Sequence, residues 1–253
     1  MTPWLSVVVP AYNEETAIAD TLTAVLTAVR GPGEPYEVIV VDNASEDRTA
    51  EMVAPFLADP GVRLLRNDVN RGKGFSVRRG MLEATGRLRL LCDADCAPSL
   101  ASLPHMIELA RDADIVIGSR NVRGSRVGRT QPIRRRIAGW TFLALCRLTL
   151  REPTRDIFCG FKVFGGEAAE AAFGRQTLEG WTFDIEVLAL ARRLGYRIRE
   201  TGIVWNDREG SRLSMARVLV PVVRELLAAR RNVRRQPRGH PCPAPAAPEH
   251  ATS

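Results

Sequence analysis

The chain has 253 residues, 45% of them hydrophobic, which is enough for a sizeable core and excludes a wholly disordered protein. The formal charge of +7 and the pI near 9.7 imply an anionic partner: nucleic acid, membrane lipid or a phosphorylated substrate. Five cysteines, Cys92, Cys96, Cys146, Cys159 and Cys242, form no CxxC pair of zinc type, and the opening MTPWLSVVVPAYNEE has no charged n-region, so a reducing cytoplasmic setting is expected. Lys73 and Lys162 are the only lysines; every other basic side chain is Arg. Coding bias accounts for that, but a need for a compact ammonium at these two places is the sharper reading.

In chain order, Leu5–Pro10 reads as a buried strand and Glu14–Val29 as a helix with Ile18, Leu22, Val25, Leu26 and Val29 on one stripe. Tyr36–Val41 is a second strand, ending at Asp42. Ser45 or Asp47 can cap a helix running toward Leu57. After the Asp59–Gly61 turn come a strand (Val62–Arg66), a helix (Gly74–Ala84), a strand (Leu88–Cys92), a helix (Ser99–Arg111) and a strand (Ile115–Gly118). The second half is less regular. It offers a basic-then-apolar helix at Pro132–Leu150, a short strand and turn over Gly160–Glu170, a helix at Phe183–Leu194, a strand over Tyr196–Val204 and a long helix at Leu213–Arg235.

Strands alternating with helices predict an α/β fold with a mostly parallel, doubly wound sheet and helices on both faces. One domain is expected over 1–235, with a nucleotide-binding half to about 120 and an acceptor half beyond it; the Pro- and Ala-rich 236–253 reads as a disordered tail. The longest apolar run, Ile137 to Cys146, lies between Arg136 and Arg147. It is about half the ~20 residues a spanning helix needs, so any membrane contact is peripheral or goes through a membrane-protein partner. The Pro132–Leu150 helix and the Arg-rich end of the last helix suit an anionic bilayer surface, though a packed core helix fits either equally.

Ligands in such sheets bind at the carboxyl ends of the strands. Those ends carry Pro10-Ala11-Tyr12-Asn13-Glu14, Asp42-Asn43 and Asp93-Ala94-Asp95. Two carboxylates at i and i+2 on a loop can meet one hard cation, Mg²⁺ or Mn²⁺, and through it a diphosphate. Asp42 is suited either to a base or ribose or to turn chemistry. Arg71-Gly72-Lys73-Gly74 has glycines that would let backbone approach a phosphate, yet lacks the spacing of a Walker A loop, and a simple loop is the safer reading. Cys96, Cys159 and His105 invite no catalytic reading.

The ordered blocks PAYNE, VVDNAS, NRGKGFSVRRGM, DAD, GSR, DIFCGFKVF, WTFDIEVL and IVWNDREGSR resemble the family-2 inverting glycosyltransferases of GT-A fold over about residues 5–215. Within them the chain is most similar to the dolichyl- or polyprenyl-phosphate sugar synthases, and to their β-glucosyltransferase branch in particular. The resemblance implies a metal-dependent enzyme moving a hexose from a nucleotide sugar, UDP-glucose-like before GDP-mannose, to polyprenyl phosphate at the inner face of the cell membrane. It implies that Pro10, Ala11, Tyr12, Glu14 and Asp42 hold the nucleoside, with Lys73 near it. Asp93 and Asp95 would hold metal and diphosphate. Asp184 would be the acidic residue on the sugar side, and Arg208 and Arg212 would lie in a loop closing over the donor. Arg120 falls near donor or acceptor phosphate; Arg126 and the Arg134–Arg136 run are further cations for the acceptor. Asn43 stands where many relatives carry a second acid, and Ala97 where mannose synthases carry a Gln.

A lipid phosphate is already largely anionic at neutral pH, its second pKa being about 6, and needs no strong base to attack the anomeric carbon. A hydroxyl acceptor on a glycan, lipid or small metabolite would need one, with Asp184 or Asp156 as suspects. A sugar-phosphate nucleotidyltransferase would need a Gly-rich loop that LSVVVPAYNEE lacks. A nucleic-acid or membrane-binding module would interleave its Arg with aromatics; the aromatic share is only 6%, so nucleic acid is not an expected partner.

Overall fold

A computed structural model describes residues 2–31, 33–95, 97–127, 143–205 and 219–239. Seven strands form one sheet: β1 (Leu5–Ala11), β2 (Tyr36–Asp42), β3 (Val62–Arg66), β4 (Leu88–Cys92), β5 (Ile115–Ser119), β7 (Phe161–Gly165) and β8 (Ile198–Gly202). Their order is β3-β2-β1-β4-β7-β5-β8, and a parallel pair of β6 (Arg126–Val127) with β9 (Val204–Trp205) stands apart. Every pairing in the large sheet is parallel except those of β7, which runs antiparallel to both β4 and β5.

Successive strand residues face opposite sides, and both sides are covered. Val7, Val9, Val38, Val40 and Leu90 pack under α1 (Ile18–Arg30) and α4 (Leu103–Leu109). Val8, Ile39, Val41 and Leu91 pack under α3 (Lys73–Glu83), α6 (Gly166–Gly174), α7 (Phe183–Arg193) and α8 (Leu219–Arg235). The continuous β-branched runs at β1 and β2 are what a sheet buried on both faces requires. Pro10 is tolerated in central β1 because pairing with β4 ends at Val8–Leu91, so no ladder bond is lost at its missing N–H. The helix–sheet spacing at α3 depends on Gly80: a Cβ there would stand 2.4 Å from Val8 Cγ1 and 3.0 Å from Val41 Cγ2. Gly80→Ala is expected to lower stability by about 1–3 kcal/mol in urea unfolding through overpacking.

Some boundaries differ from those read in the sequence. The first helix starts at Ile18 rather than Glu14, because 13–15 are held by the neighbouring loop: Asn13 N–H donates to Ser45 Oγ, Glu14 N–H to Thr49 Oγ1 and Glu15 N–H to Asp47. The second, α2 (Thr49–Val53), passes into a 3₁₀ turn over Ala54–Ala58 where Pro55 removes a helix donor. The segment read as Ser99–Arg111 is likewise 3₁₀ over Ala97–Ser102 before Pro104 opens α4. After β7 the expected turn is a helix, α6. Residues 143–150 form helix α5; the earlier part of the Pro132–Leu150 segment, with Arg134–Arg136, lies outside the described residues, as do Arg208, Arg212 and residues 240–253 of the tail.

Candidate active site

The strand order reverses at β1 and β4: β2 and β3 follow β1 on one side, and the rest of the sheet lies beyond β4. In a doubly wound sheet the crevice outside the carboxyl ends of such a pair is the ligand site. Residues 12–15 follow β1 and Asp93–Asp95 follow β4, so both blocks come to that crevice. Antiparallel β7 contributes there too, with its beginning rather than its end. Cys92 pairs with Phe161, and Asp93 N–H donates to Gly160 O at 2.9 Å, which sets Gly160 against the first carboxylate.

Asp93 is built in tightly. A Cβ on Gly160 would fall 2.0 Å from Asp93 Cγ, so only glycine fits beside it. Lys73, the first residue of α3, donates from Nζ to Asp93 Oδ2 at 2.6 Å. Asp93 Oδ1 is buried with no hydrogen-bond partner among the described residues. An orphaned carboxylate oxygen with a second carboxylate, the half-buried Asp95, two residues on is a donor set that suits a hard divalent cation. Among the described residues no three acidic, His or Cys groups gather into a cage, so an ion here would take most of its ligands from diphosphate or water.

The glycines flanking Lys73 serve protein rather than phosphate. Gly72 has φ +102, and a Cβ on it would meet Glu179 O at 2.5 Å; one on Gly74 would meet Gly180 O at 2.6 Å. They let the start of α3 press against residues 178–180. Arg71 pairs there with Glu179 and stacks 3.8 Å over the Phe75 ring.

Deeper in, Lys162 of β7 donates to Asp184 Oδ1 at 2.5 Å and to Cys159 O at 2.6 Å. Lys162 is 1% exposed and Asp184 5%. Burial pushes the Asp184 carboxyl above its ordinary range, while Lys162 and Lys73 pull it back and Asp93 adds to the rise. Asp184 sits in the first turn of α7, where the helix dipole also favours a carboxylate. The two lysines of the chain therefore each hold one carboxylate at this site, and a compact ammonium suits both.

Arg120, just past β5, grips Asp156 with Nε and Nη2, both at 2.8 Å, and its own backbone N–H reaches Oδ2 at 2.8 Å. Its guanidinium lies 5.0 Å from the Trp205 ring centre. Asp42 is fully buried: one oxygen accepts the Ser45 N–H at 3.0 Å, closing a turn, and the other accepts Arg66 Nε at 3.0 Å. Arg66, the partner that Asp42 has toward solvent, is itself 59% exposed. Pro10 and Ala11 are buried in β1, whereas Tyr12 is 42% exposed beside the crevice, not in the core. The backbone of Arg126 lies in β6 and pairs with Val204, outside the large sheet.

Sequence reasoning did not find Gly160, nor the amide chain that props the Asp42 loop: Asn67 donates to Asn43 and Ser76, and Asn43 to Asn70. The described cysteines stay inert: burial pushes Cys146 and Cys159 up to about 12 and Cys92 well above its usual range.

The family model for glycosyl transferase family 2 matches residues 6–176. A dolichyl-phosphate beta-glucosyltransferase of Drosophila melanogaster is 36% identical over 225 residues, 83% of this chain and 69% of that protein. The enzyme so named from Dictyostelium discoideum is 31% identical over 90% of this chain and 74% of that protein. The human one is 32% identical over 84% and 70%. Among solved structures, glucosyl-3-phosphoglycerate synthase from Mycobacterium tuberculosis, in complex with Mn²⁺, UDP and phosphoglyceric acid, superposes with a TM-score of 0.65 at 19% identity. The match covers 93% of this chain and 80% of that one. That likeness carries the fold, a GT-A sheet with its crevice at the β1/β4 reversal. With the family model spanning most of the chain and relatives of the same kind along nearly all of it, the protein is a glycosyltransferase and belongs to glycosyl transferase family 2.

Proposed function

We propose that this enzyme moves a hexose from a nucleotide sugar, UDP-glucose before GDP-mannose, to a polyprenyl phosphate of dolichyl type, with inversion at the anomeric carbon. The observation that carries the acceptor assignment is the state of the two carboxylates able to serve as a base. Asp184 is tied to Lys162 and Asp156 to Arg120, each at 2.8 Å or less. Each carboxylate is thus committed to an ion pair within the protein, whereas a hydroxyl acceptor would need a base aimed at its proton. A phosphate acceptor is already charged and needs only to be held against an anionic donor. The relatives named as dolichyl-phosphate beta-glucosyltransferases support the same acceptor.

In this reading Pro10, Ala11, Tyr12, Glu14 and Asp42 hold the nucleoside. Asp93 and Asp95 are the residues that would hold Mg²⁺ or Mn²⁺, which when bound offsets the charge developing on the leaving diphosphate. Lys73 holds Asp93 in place and adds a positive charge at the diphosphate. Asp184, kept in its ion pair, faces the sugar. Arg120, fixed by Asp156, meets the acceptor phosphate, with Arg126 and Arg134 as further cations, and Arg208 and Arg212 cover the donor. No helix among the described residues is long and apolar enough to cross a membrane. The proposed setting, on the ground of the lipid-phosphate acceptor, is peripheral at the cytoplasmic face.

The test is incubation of purified protein with UDP-glucose or GDP-mannose, a short polyprenyl phosphate and Mn²⁺ or Mg²⁺, with lipid products read by mass spectrometry. Glucosyl phosphopolyprenol is expected, lost on chelation and lowered about a hundredfold or more in Asp95→Asn. Mannosyl product alone would overturn the donor assignment. Arg120→Lys is expected to lower kcat/KM about tenfold, because an ammonium lacks the planar fork that grips Asp156 from Nε and Nη2; steady-state kinetics checks it.

A further inference from the structure

At the far end of α7 from Asp184, nine residues or about 13 Å along the helix axis, the ends of α5, α7 and α8 surround a hollow of about 480 Å³. Arg151, Arg192, Arg193, Arg230, Arg234 and Arg238 line it, with Glu152 as its one acid. Glu152 is 1% exposed and already committed to Arg192 Nε at 2.9 Å and to Thr154. Arg151, Arg230, Arg234 and Arg238 have no acidic partner among the described residues, and Arg193 reaches only the carbonyls of Gln236 and Arg234. Arg151 itself holds a left-handed backbone, φ 56, which a non-glycine residue adopts at a cost. Residues after α8 are pinned to form the wall: Gly239 N–H donates to Arg193 O at 3.0 Å, and a Cβ on Gly239 would lie 1.7 Å from Leu194 O.

Three helix C-termini meet here, each worth about half a negative charge. They offset roughly one and a half of the five net positive charges of the lining. The remainder, about three and a half charges gathered in one hollow, makes it attractive to an anion. We propose that this hollow is a second binding site, separate from the glycosyl-transfer crevice, for a ligand carrying clustered phosphate groups, held by forked arginine contacts. The phosphates can come from a soluble polyphosphate or from anionic lipid headgroups; Leu148, 80% exposed, stands on the neighbouring turn of α5 and would enter a bilayer surface.

The experiment uses the full chain with UDP at saturation to fill the crevice. Inorganic triphosphate is titrated by calorimetry, with sulfate at equal ionic strength as the control, into wild type, Arg230→Gln/Arg234→Gln and the charge-keeping Arg230→Lys/Arg234→Lys. In a second arm the same proteins are floated with phosphatidylglycerol or phosphatidylcholine vesicles. The site predicts one triphosphate per chain in wild type, about tenfold or more weaker in the Gln variant and intermediate in the Lys variant, with UDP affinity and basal transfer unchanged. Flotation on phosphatidylglycerol alone, lost in the Gln variant without any triphosphate binding, would assign the phosphates to lipid. Binding of neither probe, or binding equal in wild type and the Gln variant, would overturn the proposal. Circular dichroism and melting of the variants separate lost binding from lost fold.

Discussion

Gly160→Ala is expected to lower turnover about a hundredfold while leaving the protein folded. The added methyl would lie 2.0 Å from Asp93 Cγ and 1.8 Å from Oδ2. Neither position is tolerable, and a Cβ has no rotamer to escape through. The β7 backbone cannot retreat, since Phe161 pairs with Cys92 and Gly160 O accepts the Asp93 N–H. The carboxylate must swing instead, which breaks the 2.6 Å contact with Lys73. A displacement of about 1 Å at a reacting centre costs on the order of a hundredfold. Gly174→Ala is the control, because a Cβ there meets nothing within 4 Å. Kinetics and thermal melting of the two variants check the expectation: Gly160→Ala retaining activity within about threefold would remove Asp93 from the chemistry.

Lys162→Met is expected to cost about 3–5 kcal/mol of stability near neutral pH, because it strands Asp184 as an uncompensated buried charge. The pH dependence has a definite sign. Asp184 has a folded-state pKa raised by burial, so the native state holds its proton more tightly than the unfolded chain, whose carboxyl titrates near 3.9. The stability this group contributes is therefore full in acid and lost as pH rises through the folded value. Removing Lys162 takes away the principal cation opposing that rise and moves the folded value further up. The gap between wild type and Lys162→Met should then be small at about pH 5 and widest at about pH 8. Urea unfolding at the two pH values measures it. Lys162→Met/Asp184→Asn should recover most of the loss at the higher pH; a gap independent of pH would mean that the cost is packing and not charge.

The fold was legible where one element's own residues decide it. Continuous β-branched runs at Leu5–Pro10 and Tyr36–Val41 announced strands buried on both faces, and their polar successors marked the crevice. Boundaries failed where a distant segment decides. Residues 13–15 leave the helical pattern because Ser45, Asp47 and Thr49, some thirty residues on, hold their N–H groups. The site divides in the same way. Asp93, Asp95 and Asp184 stand at the end of a strand or the start of a helix and could be read from position and motif. Gly160 could not, because its meaning comes from β7 running antiparallel, and a simple alternation of strands and helices gives no warning of that. Lys162 stood out as one of two lysines and within the DIFCGFKVF block, but its partner lies 22 residues away on another element. The Gly72–Gly74 pair left a phosphate cradle open beside the safer reading of a simple loop, because glycine marks close approach without naming what approaches; here it is backbone at 178–180.

In the proposed reaction the acceptor nucleophile is a phosphate and no side chain serves as its base. The most direct measurement offers the enzyme two lipids of one chain length together, a polyprenyl phosphate and the free polyprenol, with labelled UDP-glucose, and identifies the glucosylated product. Label confined to the phosphate, with a rate that survives Asp184→Asn to within about tenfold, is the expected result. Glucose on the polyprenol or on another hydroxyl, abolished by Asp184→Asn, would show that Asp184 acts as a general base and would contradict the account.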